Sequence, residues 1–126
     1  VYKEQLCGLY HKHFGVPVCS LRYFTVYGPR QRPDMGFHKF LKSALQNEPI
    51  VIYGDGQQTR DFTFISDAIA ANLAAGSVPG AVGEVFNIGG GSRVGLMDVI
   101  ATMEEIIGRP VQRQHIERAV GDARHT

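Results

Sequence analysis

The 126-residue chain is short of several features, and each shortage excludes a class of protein. It has two cysteines, Cys7 and Cys19, with neither metal-ligand spacing nor a disulfide framework. No apolar stretch approaches the roughly 20 residues that a membrane-spanning helix needs. The formal net charge is only +1, whereas a nucleic-acid-binding face needs a dense cluster of Lys and Arg. We therefore predict a cytoplasmic protein with no membrane or nucleic-acid partner and with buried, reduced thiols.

The sequence also lacks the local patterns of a metal site or a nucleophilic catalyst. No Ser lies in a nucleophile-elbow pattern, and neither cysteine has an obvious base. No histidine has a Cys or carboxylate neighbour at metal-ligand spacing, so surface or packing roles are expected for His11, His13, His38, His115 and His125. We predict no metal ligand and no catalytic residue within this chain.

Hydrophobic spacing predicts that helices alternate with short strands along the chain. Leu6, Leu9 and Tyr10 recur at helical intervals and Gly15 follows them as a terminator, which predicts a helix over 2–14. Such alternation is typical of an α/β domain with parallel strand pairing. Further helices are predicted over 37–46, 68–76 and 94–107, and strands over 16–24, 49–54, 59–66, 83–91 and 111–117, followed by an irregular tail.

Two local patterns add detail to this prediction. The runs 16–24 and 83–91 are rich in branched and aromatic residues, the profile of strands that are buried on both faces. Ser66 and Asp67 directly precede an apolar helical run, so both are N-cap candidates.

A glycine-rich turn, NIGGGSR at 87–93, follows a predicted strand and precedes a predicted helix. That position suits a phosphate-binding loop, in which backbone N–H groups point at the anion. The turn lacks the G-x-G-x-x-G spacing and the Walker lysine, and glycine turns also occur for purely geometric reasons. Both interpretations stay open on the sequence.

Arg60 begins an apolar run, in the segment YGDGQQTRDFTFISDA, where a strand should start to be buried. A guanidinium is costly to bury without a partner, and its planar fork suits phosphate oxygens. An ion pair with Asp61, Asp55 or Asp67 explains the position equally well. Arg22 and Arg124 pose the same alternatives, whereas Arg30 and Arg32 lie in a proline-rich turn where they need only be solvated.

Four segments occur in the order and spacing of a known family: SLRYFTVYGPRQRPD, IVIYGDGQQTRDFTFISDAIAA, VFNIGGG and GDARHT. Together they resemble the extended short-chain dehydrogenase/reductases, the NAD-dependent nucleotide-sugar epimerases and dehydratases typified by UDP-glucose 4-epimerase. The resemblance covers essentially the whole chain. It implies the C-terminal part of a Rossmann-type parallel sheet together with the smaller substrate-binding domain.

The resemblance implies a nucleotide-sugar site in this chain. Arg60 matches the arginine that grips the substrate pyrophosphate, Arg124 matches a second one, and Asp122 would orient Arg124. Other implied substrate contacts lie at the start of the substrate-domain helix and on the strand edge beside the base: Met35, Phe37, Val51 and Tyr53.

The resemblance also implies contacts with NAD. The turn over 25–29 would line the cleft where nicotinamide and sugar meet. Thr25 and Val26 of this turn, and Tyr23 just before it, are the implied cofactor-side residues. Most members of the family have Asn at the position of Thr25, which argues against a substrate role for that side chain.

Two family motifs are missing from the 126 residues. There is no G-x-x-G-x-x-G loop to hold the cofactor, and no tyrosine has a lysine four positions later to form the Tyr-x-x-x-Lys catalytic pair. The resemblance then implies that residues 1–126 are the C-terminal, substrate-binding portion of such an enzyme, with the cofactor-binding part absent. We expect this portion to be inactive alone and to bind no NAD tightly.

Two further expectations follow from that interpretation. A non-catalytic binding or assembly module with the same fold is the alternative function. Strands that lack their family neighbours would leave an apolar edge, and the first helix matches part of the family's dimer-forming bundle. We therefore expect a homodimer, or a higher homo-oligomer, that buries the first helix or the VCSLRYF edge.

Overall fold

The computed structural model describes residues 2–118, 121 and 123–126. Helices and strands alternate along the chain, which confirms the α/β class. The helices are α1 (Tyr2–Phe14), α2 (Gly36–Gln46), α3 (Ile65–Ser77) and α4 (Leu96–Ile107), with a 3₁₀ turn over Pro79–Ala81. The strands are β1 (Ser20–Tyr23), β2 (Thr25–Tyr27), β3 (Ile50–Tyr53), β4 (Thr59–Arg60), β5 (Phe62–Phe64), β6 (Val85–Ile88), β7 (Val94–Gly95) and β8 (Arg113–Ile116).

The strands form four pairs, and three of these are parallel. β1 pairs with β6, β2 with β5 and β3 with β8 in parallel, whereas β4 and β7 pair antiparallel. Each parallel pair joins strands that are distant in sequence, because parallel neighbours need a long crossover. The carboxyl end of β1 leads directly into β2, so these two parallel pairs share one continuous chain segment.

Local chemistry explains where the helices end. α1 stops at Gly15, which has φ +66° and donates its N–H to the His11 carbonyl at 3.0 Å, and α4 stops at Gly108 with φ +76°. Both residues adopt the left-handed conformation that glycine takes without strain. Asn47 ends α2 in the same conformation, with φ +60°. The helix terminator predicted at Gly15 is confirmed.

The start of α3 differs from the prediction. The helix begins at Ile65, so Ser66 and Asp67 lie in its first turn and neither is the N-cap. Phe64 takes the N-cap position in an extended conformation because β5 runs directly into the helix. The Ser66 hydroxyl donates to the Asp67 carboxylate at 3.2 Å instead of capping the backbone.

The core lies between α2, β3 and α4. Ile50, Ile52 and Ile100 are fully buried and Ala44 packs beside them. Burial alternates along β3, with Val51 and Tyr53 outside, because successive side chains of a strand point to opposite faces. The C-terminal end of α4 is tied to β8 by Glu104, which accepts the Val111 N–H at 2.9 Å and the Arg113 guanidinium at 2.8 Å. These two hydrogen bonds, the backbone one first, lower the pKa of Glu104.

The prediction that 16–24 and 83–91 are buried on both faces is wrong for this chain. Tyr23, Val85 and Phe86 are each more than 40% exposed, and α1 buries no residue. The strands β1 and β6 pair with each other, and α1 contributes no buried side chain to cover them. Cys7 and Cys19 are free thiols but half-buried rather than buried.

No helix in the described part of the chain has the length and hydrophobicity to cross a membrane.

Candidate functional site

The predicted single strand over 59–66 is two strands, because Asp61 interrupts it. The Asp61 carboxylate accepts the Gly90 N–H at 2.6 Å and the Gly91 N–H at 3.2 Å. The Asp61 backbone also bonds outwards, with its N–H donating to Thr126 and its carbonyl accepting from Thr25. Asp61 therefore joins β2, the glycine turn and residue 126 at one point.

The glycine turn packs too closely for a side chain at Gly89 or at Gly90. A Cβ at Gly89 would stand 2.6 Å from the Phe24 ring, and a Cβ at Gly90 would stand 2.3 Å from the Phe62 carbonyl oxygen. The N–H groups of Gly90 and Gly91 already donate to Asp61. Of the two interpretations left open for this turn, the structure favours the geometric one over a phosphate loop.

Arg60 lies in β4, directly before Asp61 in the chain. Its strand β4 is flanked by β7 and by the segment 124–126, since the Thr59 N–H donates to the Arg124 carbonyl at 2.9 Å. The Arg60 guanidinium donates to the Thr59 carbonyl at 2.8 Å and to the Arg124 carbonyl at 3.4 Å. The side chain is half-buried in the wall of a cavity.

This first cavity, of about 230 Å³, brings together four of the residues predicted from sequence. Arg60, Thr25, Met35 and Phe37 come from β4, β2 and the start of α2, and all of them line it. Gln31 fixes one wall, because its side-chain amide donates to the Val26 carbonyl at 3.2 Å and to the Met35 sulfur at 3.6 Å. A guanidinium in a largely apolar pocket suits an anion with an attached ring.

Arg124 lines a neighbouring cavity of about 170 Å³. Its guanidinium forms an ion pair with the Asp55 carboxylate at 3.0 Å, which is one of the alternatives left open on the sequence. The second Asp55 oxygen accepts the Gln57 N–H at 3.0 Å. That backbone hydrogen bond, followed by the charge of Arg124, holds the pKa of Asp55 below its usual value. Asp122, the predicted partner of Arg124, lies outside the described residues.

A third cavity, of about 520 Å³, lies between α2 and β3. Val51 and Tyr53 line it from the strand, and Phe40 and Ser43 line it from the helix. Gln58 lines all three cavities, and its side-chain amide donates to the Tyr53 carbonyl at 3.3 Å. Sequence reasoning missed Gln58 and Gln31, because neither residue carries a charge or belongs to a pattern with a chemical meaning of its own.

The other predicted site residues lie apart from these cavities. Arg22 forms a bidentate ion pair with Glu4, at 2.8 and 2.5 Å, that joins β1 to α1. This pair lowers the pKa of Glu4 and raises that of Arg22. Tyr23 stands exposed at the carboxyl end of β1 and Val26 is half-buried in β2. Among the described residues, no three His, Cys, Asp or Glu side chains are grouped so that they could hold a metal ion.

The fold is that of a Rossmann-type α/β protein, and comparison with known proteins identifies the family. Residues 1–89 match the NAD dependent epimerase/dehydratase family. The crystal structure of UDP-glucuronic acid 4-epimerase from Bacillus cereus, in complex with UDP-glucuronic acid and NAD, superimposes with a TM-score of 0.93. Its sequence is 46% identical, over 98% of this chain and 40% of that one. The chain belongs to the NAD dependent epimerase/dehydratase family.

Two sequence relatives agree with this assignment. An uncharacterized UDP-glucose epimerase, YtcB of Bacillus subtilis, is 46% identical over 98% of this chain and 39% of its own length. UDP-glucuronate 4-epimerase of Thermodesulfobacterium geofontis is 37% identical over 98% of this chain and 38% of its own length. The chain thus spans about 40% of the length of these relatives.

The contact between Asp61 and the glycine turn can be tested by mutation. We expect Asp61→Ala to lower the free energy of unfolding by about 1–3 kcal/mol, because two N–H groups lose a charged acceptor. Asp61→Asn keeps one carbonyl acceptor and should lose less. Chemical denaturation monitored by circular dichroism measures both, with Asp34→Ala as a control at an exposed carboxylate. Equal stability of Asp61→Ala and the unmodified protein would contradict the role given to this contact.

Proposed function

We propose that residues 1–126 form the nucleotide-sugar-binding portion of an NAD-dependent sugar-nucleotide 4-epimerase or dehydratase that acts on UDP-sugars. The observation that carries this proposal is the cavity in which Arg60 meets Thr25, Met35 and Phe37. The Bacillus cereus enzyme, whose structure was solved with UDP-glucuronic acid, supports it by the similarity of fold over nearly all of this chain.

The anion of the substrate is assigned to the two arginines. Arg60 offers a planar donor fork to a diphosphate, and the half-buried setting strengthens its attraction for a negative charge. Arg124 lies next to Arg60, because the Arg124 backbone carbonyl accepts a hydrogen bond from the Arg60 side chain. Binding of a diphosphate by Arg124 requires that a phosphate oxygen replace or join the Asp55 carboxylate.

The base of the nucleotide is assigned to the third cavity. Val51 and Tyr53 point out of the core there because Ile50 and Ile52 point inwards. Phe40 and the start of α2 give the cavity an apolar wall that suits a flat ring. Met35 and Phe37, which line the first cavity, would then contact the sugar and the diphosphate.

NAD is assigned to the carboxyl end of β1 and the start of β2. In open parallel sheets, ligands bind beyond the carboxyl ends of the strands, and Tyr23 stands exposed at such an end. Thr25 follows it and lines the Arg60 cavity, so the cofactor side and the substrate side meet at that residue. Tyr23, Thr25 and Val26 would contact NAD, which, when bound, accepts a hydride from the sugar and returns it. With no glycine loop in the sequence, these residues supply only one side of a cofactor site.

Substitution of Arg60 tests the diphosphate site. In the complete enzyme, we expect Arg60→Ala to weaken UDP binding by about 1.5–3 kcal/mol, the scale of a hydrogen bond to a charged group. Arg60→Lys should restore only part of the loss because it lacks the bidentate fork. Titration calorimetry measures all three proteins, with Arg93→Ala as the control at an exposed arginine. An Arg60→Ala protein that binds UDP as tightly as the unmodified one would refute the assignment.

The 126-residue chain alone should be inactive. We expect no tight NAD binding and no turnover of UDP-glucose or UDP-glucuronic acid, because the glycine loop and the Tyr-x-x-x-Lys pair are not in its sequence. Calorimetry with NAD and a coupled epimerase assay measure this, with the complete enzyme as the positive control. Turnover above the blank in chain of verified mass would overturn the expectation.

The exposed apolar surface supports self-association. Leu6, Leu9 and Tyr10 of α1 are each about half exposed, and β1 has β6 as its strand partner on one side. Burying apolar area is favourable by about 25 cal/mol per Å², so a second copy that covers α1 gains free energy. We propose a homodimer, or a higher homo-oligomer, that buries α1 or the β1 edge.

Light scattering tests the assembly. We expect at least twice the 13.9 kDa chain mass at micromolar concentration. A charge at the centre of the contact is costly to bury, so Leu9→Glu should shift the mass towards the monomer. Leu45→Glu, at an exposed leucine of α2, should leave the mass unchanged. A monomer at all these concentrations, before any substitution, would show that α1 is not an interface in the isolated chain.

A further inference from the structure

The turn between β2 and α2 has a conformation that its own residues do not favour. Arg30 has φ +66°, in the left-handed region that non-glycine residues rarely adopt. The Gln31 N–H donates to the Gly28 carbonyl at 3.2 Å. The Met35 N–H donates to the Arg32 carbonyl at the same distance. A strained segment of this kind keeps its shape only where the surrounding structure fixes it.

The Gln31 side chain supplies such a constraint. Its amide nitrogen donates to the Val26 carbonyl at 3.2 Å and to the Met35 sulfur at 3.6 Å, so it has an acceptor for each of its two N–H bonds. The first bond reaches back to β2, and the second reaches forward to the residue directly before α2. One amide group therefore holds the two ends of the turn together.

Packing gives this part of the cavity wall little support. Four residues line both the first cavity and a fourth cavity, of about 550 Å³: Gln31, Phe37, Phe62 and Val99. A single layer of residues thus separates the two cavities. Side chains that border a cavity on two sides have fewer packing neighbours to fix their rotamers. Directional hydrogen bonds then have the larger part in holding the wall.

Met35 is the residue that gains most from the amide of Gln31. A methionine side chain has three rotatable bonds and adapts to irregular spaces, so packing specifies its position poorly. Met35 lines the first cavity together with Arg60, where the sugar and the diphosphate are assigned. A hydrogen bond to its sulfur restricts the side chain before the ligand arrives, which removes an ordering cost from binding.

We infer that Gln31 is a positioning residue for the nucleotide sugar: it holds the Met35 side chain in the wall of the Arg60 cavity and ties it to β2. This inference rests on the proposed function, because it needs a nucleotide sugar in the first cavity. Gln31 acts through Met35 and carries no charge, so its contribution is separate from the attraction between the arginines and the diphosphate.

Titration calorimetry of the complete enzyme with UDP tests this role, since it measures the dissociation constant and the stoichiometry separately. Gln31→Met keeps the length of the side chain but has no N–H donor. We expect it to raise the dissociation constant of UDP about three- to tenfold, the effect of one hydrogen bond, at an unchanged stoichiometry. A purely structural role would lower the stoichiometry through unfolded protein and leave the dissociation constant unchanged.

A double-mutant cycle tests whether Gln31 acts through Met35. Met35→Leu keeps an apolar side chain of similar size but removes the sulfur acceptor. In this background, Gln31→Met should raise the dissociation constant by less than about twofold, because two residues that act through one contact are not additive.

Two further variants complete the comparison. Gln46→Met is the matched control, since Gln46 is an exposed glutamine at the end of α2 that lines none of the four cavities, and it should leave the dissociation constant unchanged. Gln31→Leu also lacks a donor and should show the same increase as Gln31→Met, so the test does not depend on the folding of one variant.

Each outcome decides the inference. An unchanged dissociation constant in both Gln31 variants, with or without a loss of stoichiometry, would overturn it. An equal increase in the presence and absence of the Met35 sulfur would overturn it as well. The proposed function would survive these results as long as Arg60→Ala still weakens UDP binding. A complete enzyme that does not bind UDP would overturn both.

Discussion

The contact between the Asp61 carboxylate and the N–H groups of Gly90 and Gly91 holds the segment that contains β4 and β5 against the glycine turn that follows β6. On one side of Asp61 the chain forms β4 and carries Arg60 into its cavity, and on the other side it forms β5 and leads into α3. The backbone of the same residue holds Thr25 and Thr126. The charged residue Asp61 at the start of β5 is thus explained by the turn that it anchors, whereas Arg60 lines the first cavity. The glycines are required because the turn leaves no room for a Cβ beside Phe24 and Phe62.

Local patterns predicted much of the fold. The helical spacing before Gly15, the amphipathic run before Gly108 and the apolar run at Ile50–Tyr53 were sufficient, because each depends on neighbours within a few positions. The failures have a common physical cause. The break at Asp61 depends on glycines about 30 residues away, and the exposure of β1 depends on what else packs on the sheet. Neither kind of contact leaves a mark in the local sequence.

The candidate site was predicted in the same uneven way. The resemblance to the epimerase family selected Arg60, Met35, Phe37 and Thr25, and the structure places these four around one cavity. The ion pair between Arg124 and Asp55 was one of several alternatives, since the sequence alone does not show which carboxylate lies next to which arginine in the fold. Gln58 was missed because a neutral amide gains its role only from the carbonyl it meets, here that of Tyr53.

The segment 124–126 lies along β4 through an isolated parallel bridge between Thr59 and His125, and this has a consequence for how a ligand is held. The Arg124 carbonyl accepts hydrogen bonds from both the Thr59 N–H and the Arg60 side chain. The positions of the two arginines are therefore linked through this one carbonyl group. A ligand that draws the Arg124 guanidinium away from Asp55 pulls on the backbone that positions Arg60. Under the proposed function, the two contacts are therefore expected to form cooperatively, so that a diphosphate seated on one arginine orders the other.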